Sequence, residues 1–228
     1  MRECRILSNF DGSFDAMLTL AHELGHGYHN LCLKDASVVN SHFTMPIAET
    51  ASTFCETLVA RAALKDASPA EAAVIRENDI SGNAQIIVDI YSRFLFEDAL
   101  FKKRQNGPLS VDELNGMMLE SQKAAYGSGL DHNFLNAGMW INKVHYYYAS
   151  HNYYNFPYAY GQLFALGLFA RYLETGKAFA EKYDALLAAT GKNNVADIGK
   201  LVDIDVTKKD FWVSSLKIIE KEIEEFCK

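Results

Sequence analysis

Residues 22–26 read His-Glu-Leu-Gly-His and follow the largely apolar run Ala16-Met17-Leu18-Thr19-Leu20-Ala21. On an α-helix, side chains four apart project from one face, one turn above the other. Two imidazoles at that spacing can hold one zinc ion, and Glu23 beside the first can take a proton from a zinc-bound water. Gly25 lies between the two histidines. A mid-helix glycine costs about 1 kcal/mol relative to alanine, so its position predicts that another backbone or a substrate comes close there.

Catalytic zinc usually takes three protein ligands and leaves a position for water. One solution places a glycine three residues and a histidine six residues beyond the second histidine. Here those positions are His29 and Cys32, and that solution fails. The other solution is a carboxylate from a following helix. In Pro46-Ile-Ala-Glu-Thr-Ala-Ser-Thr-Phe-Cys-Glu56, the residues Glu49, Ser52 and Glu56 share one face of an otherwise apolar segment. A polar stripe on a buried helix needs partners, and a metal with its ligating histidines supplies them. Glu49 is therefore assigned as third ligand, with Glu56 accepting the free N–H of a ligating imidazole. His29, seven beyond His22, reads equally well as a group supporting the ligands and as a satisfied structural histidine.

The elements that must position these residues read as helices. Ser13 after Gly12 caps a helix that carries the His motif to about residue 32, and Pro46 opens a second helix running through Glu49, Phe54, Glu56 and Leu58. Ser68-Pro69-Ala70-Glu71 and Ser110-Val111-Asp112-Glu113 read as capping boxes. The first of them opens a helix reaching toward Lys103, with a break near Ser81-Gly82, stopped by Gly107-Pro108. Further helices are predicted from about Phe156 to Tyr172, from about Lys177 to Thr190, and from near Thr207 to the C-terminus. The best strand signal is Arg5–Phe10, just before the metal helix, and a sheet edge there would offer pairing to an extended peptide. No internal repeat, low-complexity tract or linker is evident, so the 228 residues read as one mostly helical unit.

Composition sets further bounds. A net charge of −7 without a Lys/Arg cluster argues against nucleic-acid binding. The apolar runs fall short of a membrane span, and the N-terminus lacks the apolar core of a signal peptide. Cys4, Cys32, Cys55 and Cys227 are scattered with no CxxC pair. Reduced thiols and a cytoplasmic protein are expected, and cysteine ligation of the metal is not. Seven of the sixteen positions 145–160 are tyrosine. A plain core prefers Phe and Leu, because each buried Tyr hydroxyl needs a partner, so a functional role for part of this segment is expected.

The stretches Arg5–Asp15, Thr19–His29, Pro46–Glu56, His145–Tyr147 and Tyr154–Gly161, taken together and in this order, resemble the thimet oligopeptidase and oligoendopeptidase F family of zinc peptidases, the oligoendopeptidase F branch most closely. The likeness covers nearly the whole chain. It implies a mainly α, multi-helical catalytic domain of the gluzincin type, with at most a short N-terminal strand or hairpin. It implies a zinc metalloendopeptidase acting on short peptides, with one Zn(2+) per chain held by His22, His26 and Glu49, and with Glu23 as general base. It further implies that a histidine and tyrosines of the 145–160 segment hold substrate and stabilise the tetrahedral oxyanion: His145 with Tyr154 and Tyr158 as the first catalytic candidates, then Tyr148 and Tyr160 for substrate binding.

Family members carry a large helical region before the metal motif, whereas His22 here follows only 21 residues. Residues 1–228 are accordingly expected to be the C-terminal catalytic part of a longer peptidase, with surface that favours self-association. The competing expectation is a folded helical fragment that binds zinc or peptide without efficient turnover.

Overall fold

The computed structural model describes residues 3–148 and 150–228, and among these the chain is helical and contains no strand. Residues 5–10 carry a strand-like pattern but enter no strand ladder among the described residues, and Leu7 is 99% exposed and Phe10 57%. A strand is stabilised by a partner ladder that satisfies its N–H and C=O groups. No such ladder forms among the described residues, so the Arg5–Phe10 pattern does not become a strand, and the mainly α reading, with at most a short strand, holds.

Helix formation follows the capping chemistry. The Ser13 hydroxyl accepts from the Ala16 N–H at 3.1 Å and starts α1, Phe14–Cys32. A single turn, α2 (Met45–Ala48), follows Thr44 with Pro46 in its first positions. The helix expected to run on through Glu49 is interrupted there. Glu49 adopts φ −88°, ψ 1°, and its carbonyl accepts the Thr53 N–H at 3.0 Å, so it closes α2 and opens α3 (Thr50–Asp66). Glu71 and Ser68 bond reciprocally at the head of α4, Pro69–Ala84. The break expected near Ser81-Gly82 instead takes the form of a wide π turn over Gln85–Asp89, leading directly into α5, Ile90–Arg104. The Ser110–Glu113 capping box opens α6, Val111–Tyr126. Short 3-10 turns fill 127–147 before α7 (Phe156–Thr175), α8 (Ala178–Ala189), α9 (Val195–Lys200) and α10 (Lys209–Phe226).

Where the sequence reads as one unit, the contacts divide the chain into two: Met1–Ile80 with Tyr160–Lys228, and Ser81–Ala159. The first has a core of Ile47, Phe54, Phe164, Leu168, Leu186, Leu187 and Ile198, each at most 5% exposed. Its C-terminal helix is tied in by Glu222, whose buried carboxylate pairs with Arg61 of α3 and Arg76 of α4. The second has a smaller core of Phe96, Met118 and Met139 between α5, α6 and the turns that follow. Among the described residues, no helix is long and apolar enough to cross a membrane.

Candidate metal centre

The metal residues all belong to the first unit. α1 and α3 meet at Gly25: a Cβ there would lie 2.5 Å from both the Ala51 carbonyl oxygen and the Ser52 Cα. The close backbone approach expected at this glycine is thus made by α3. It brings Glu49 and Glu56 to the His face of α1. The first part of α7 closes on the same point, since a Cβ at Gly161 would lie 3.1 Å from the Glu49 Cβ.

His22 is clamped at both ring nitrogens. Its Nδ1 pairs with Glu56, and its Nε2 lies 3.2 Å from Glu49 Oε2. His26 Nε2 is 3.1 Å from His22 Nε2 and 3.5 Å from the same Glu49 oxygen. The two rings stand nearly perpendicular, with centroids 4.7 Å apart. Ser52 Oγ lies 3.0 Å from both Glu49 O and Oε2, so it donates to that residue and holds its side chain. Burial opposes charge on His22, but the hydrogen bonds to Glu49 and Glu56 outweigh it and raise the ring to about 10. The His22 hydrogen bond, with lesser help from His26 and Ser52, lowers Glu49 against the effect of burial.

These residues fit a zinc ion. Tetrahedral zinc with ligand bonds of about 2.0–2.1 Å separates its ligand atoms by about 3.3 Å, close to the 3.1, 3.2 and 3.5 Å found. With neutral His22, its Nδ1–H donates to Glu56 and an Nε2 lone pair faces His26 Nε2 and a carboxylate. Three electron-pair donors converging in this way are best compensated by a cation. His22, His26 and Glu49 form such a cluster, with ligand atoms within 4.8 Å of one another. Glu23 is half-exposed and makes no hydrogen bond or ion pair among the described residues.

His29 does not join them. It is fully buried, stacked on Phe43 at 4.1 Å, and its Nε2 lies 2.8 Å from Thr190 Oγ. The Thr190 hydroxyl donates to the Leu187 carbonyl, so it accepts from His29 Nε2–H. That bond sets the tautomer and leaves His29 Nδ1 buried without a partner. Of the two readings its spacing allowed, the structural one describes its contacts.

His145, Tyr154 and Tyr158 belong to the second unit. His145 Nε2 lies 3.3 Å from the Tyr158 hydroxyl, and its ring is roughly parallel to Tyr154 at 5.8 Å. Burial, followed by Arg93 and Lys143, lowers its pKa. Tyr148 is exposed and touches the His151 ring edge. Tyr160 belongs to the first unit, packed against Phe164 and Trp212 with its hydroxyl buried and unpartnered. It is partly buried against the core of that unit. Reading the sequence missed Asp89, Arg93 and Glu97, a buried charged stripe whose spacing of four is its one sign in the sequence.

In an all-helical unit, a His-x-x-x-His helix thus faces a carboxylate from the next helical segment, and the three side chains form a group that could hold a metal ion. Residues 1–218 match the model of peptidase family M3, and the chain belongs to that family. It is 26% identical over 223 residues to oligopeptidase PepF of Bacillus subtilis, covering 96% of this chain and 33% of that protein. It is 25% identical over 226 residues to the chromosomal oligoendopeptidase F of Lactococcus lactis subsp. cremoris, covering 98% of this chain and 37% of that protein. Among solved structures, a putative peptidase from Chlamydophila abortus superposes with TM-score 0.83 at 24% identity, over 96% of this chain and 37% of that one. Oligoendopeptidase-F from Enterococcus faecium gives 0.77 at 23% identity, over 93% and 38%. The chain thus spans about a third of the length of the curated relatives it matches.

Proposed function

We propose that this chain is the metal-bearing part of a zinc peptidase that hydrolyses short peptides. The convergence of His22, His26 and Glu49 within 3.1–3.5 Å carries the reading. These three residues would hold a zinc ion, which when bound would supply polarisation of a carbonyl and a lowering of the pKa of water toward about 7. Glu23, free of other partners, accepts the proton of the attacking water and returns it to the leaving amine. Glu56 holds His22 in the tautomer that presents Nε2, and Ser52 steadies Glu49. His145, Tyr154 and Tyr158 supply hydrogen-bond donors to the substrate, each worth about 10²–10³ in rate where it meets the developing oxyanion. Four free cysteines suit a reducing, cytoplasmic setting.

Metal analysis with cleavage of a quenched fluorescent peptide tests this. Zinc-dependent turnover that disappears in Glu23→Gln, with zinc still bound, supports it. Wild-type turnover in Glu23→Gln refutes the general-base role. A second reading is zinc or peptide binding without efficient turnover. Stoichiometric zinc with no cleavage selects that reading.

A further inference from the structure

We propose that Glu97 and Arg93 are positioning residues that set where Tyr154 and His145 present themselves to a peptide substrate. The assignment rests on the peptidase reading above. Asp89, Arg93 and Glu97 follow one another at four-residue spacing and are 5%, 8% and 4% exposed. Arg93 pairs with Asp89, which also accepts from Gln85 Nε2 at 2.8 Å and from the Tyr126 hydroxyl at 3.1 Å. Arg93 is thereby held from one side. Its Nη1 lies 3.4 Å from Asn155 Oδ1, to which it donates. One turn on, Glu97 Oε1 accepts the Tyr153 backbone N–H at 2.8 Å.

The residues on either side of Tyr154 are therefore both anchored to α5. Tyr153 is anchored twice, because its hydroxyl donates to Asp98 at 3.2 Å. Its φ is +58°, in the left-handed region that non-glycine residues seldom enter. A backbone held there is over-determined by its contacts, which is the pattern of a functional constraint. The product is a half-buried Tyr154 whose hydroxyl makes no hydrogen bond among the described residues, lying beside His145. The Tyr146 hydroxyl donates to the Arg93 carbonyl at 3.3 Å, which anchors the chain next to His145 to the same helix. Apolar residues would stabilise a helix face at least as well as buried ions. These ions instead direct their hydrogen bonds to the segment that carries the two donors.

The test combines hydrogen exchange of segment 150–156 with zinc-dependent peptide cleavage, on wild type, Glu97→Leu, Glu97→Gln and Asn155→Ala. Glu97→Leu is expected to speed exchange of the Tyr153 amide by about 10-fold or more. It should lower kcat by about 10- to 100-fold while KM and bound zinc hold. Glu97→Gln keeps an acceptor oxygen and should stay within about threefold of wild type in both readouts. Asn155→Ala leaves the Arg93–Asp89 pair intact and should reproduce the kcat loss, which keeps the proposal decidable if Glu97→Leu does not fold. Wild-type exchange in Glu97→Leu, or wild-type kcat in Asn155→Ala, overturns the assignment. A zinc-loaded wild type that cleaves no peptide refutes the peptidase reading instead, and the exchange data still decide whether Glu97 holds the segment.

Discussion

The Cα of Ser52 lies 2.5 Å from the place a Cβ on Gly25 would take. That contact sets the register of the candidate metal centre. Gly25 stands between His22 and His26, and Ser52 stands between Glu49 and Glu56, so the point where the two backbones touch registers two histidines on one helix against two carboxylates on the next.

Gly25→Ala is expected to weaken the protein although alanine is the better helix former. The gain in propensity is about 1 kcal/mol. It is opposed by a collision with backbone atoms, which cannot rotate away, and overpacking of this kind costs about 1–3 kcal/mol. Zinc affinity should fall with the separation of α1 and α3. Thermal unfolding with and without zinc checks both effects. An unchanged zinc affinity in Gly25→Ala would show that the helix contact does not set the ligand geometry.

Glu49 and Glu56 should separate in a zinc titration against a competing chelator. Glu49→Ala removes a ligand, and stoichiometric binding at submicromolar free zinc should be lost. Glu56→Ala leaves all three ligands in place and frees the His22 ring, for which a loss of about 10- to 100-fold in affinity is expected. Equal losses in the two variants would contradict the different roles given to them.

His29 ties the stability of the metal-free protein to pH. Burial, with a smaller effect from His26, lowers its pKa to about 4, from an ordinary value of 6.5. The unfolded chain therefore binds a proton that the folded ring refuses between about pH 6.5 and 4. Stability is unaffected by this group above that window, falls as the pH drops through it, and loses about 3 kcal/mol in all. Urea unfolding at pH 7 and pH 4.5 should show the loss in wild type and a smaller one in His29→Gln. The same pH dependence in both proteins would remove His29 as its source.

Much of the candidate metal centre was legible because its residues repeat at helical spacing. His22 and His26 are one turn apart, and Glu49 and Glu56 share a polar stripe that an apolar segment does not otherwise explain. Gly25 pointed to a close backbone, and α3 supplies it. What spacing could not reveal was decided by distant contacts. Glu49 leaves helical geometry and splits the expected helix, which no local propensity signals after a well-placed Pro46. The Arg5–Phe10 pattern suits a strand, yet a strand needs a partner elsewhere in the chain. Asp89, Arg93 and Glu97 follow one another at a spacing of four, but only the folded chain shows that they are buried and that Arg93 and Glu97 bond to Asn155 and the Tyr153 N–H. The tyrosines of 145–160 share one chemistry, so only packing separates Tyr154, beside His145, from Tyr160, set against Phe164 and Trp212.

The metal centre itself is tested most directly by X-ray absorption at the zinc edge of the loaded chain. The expected result is one zinc per chain with two imidazole nitrogens and a carboxylate oxygen at about 2.0–2.2 Å, the oxygen contribution diminished in Glu49→Ala. A sulfur shell at about 2.3 Å, or a spectrum unchanged by loss of Glu49, would contradict a centre built from His22, His26 and Glu49.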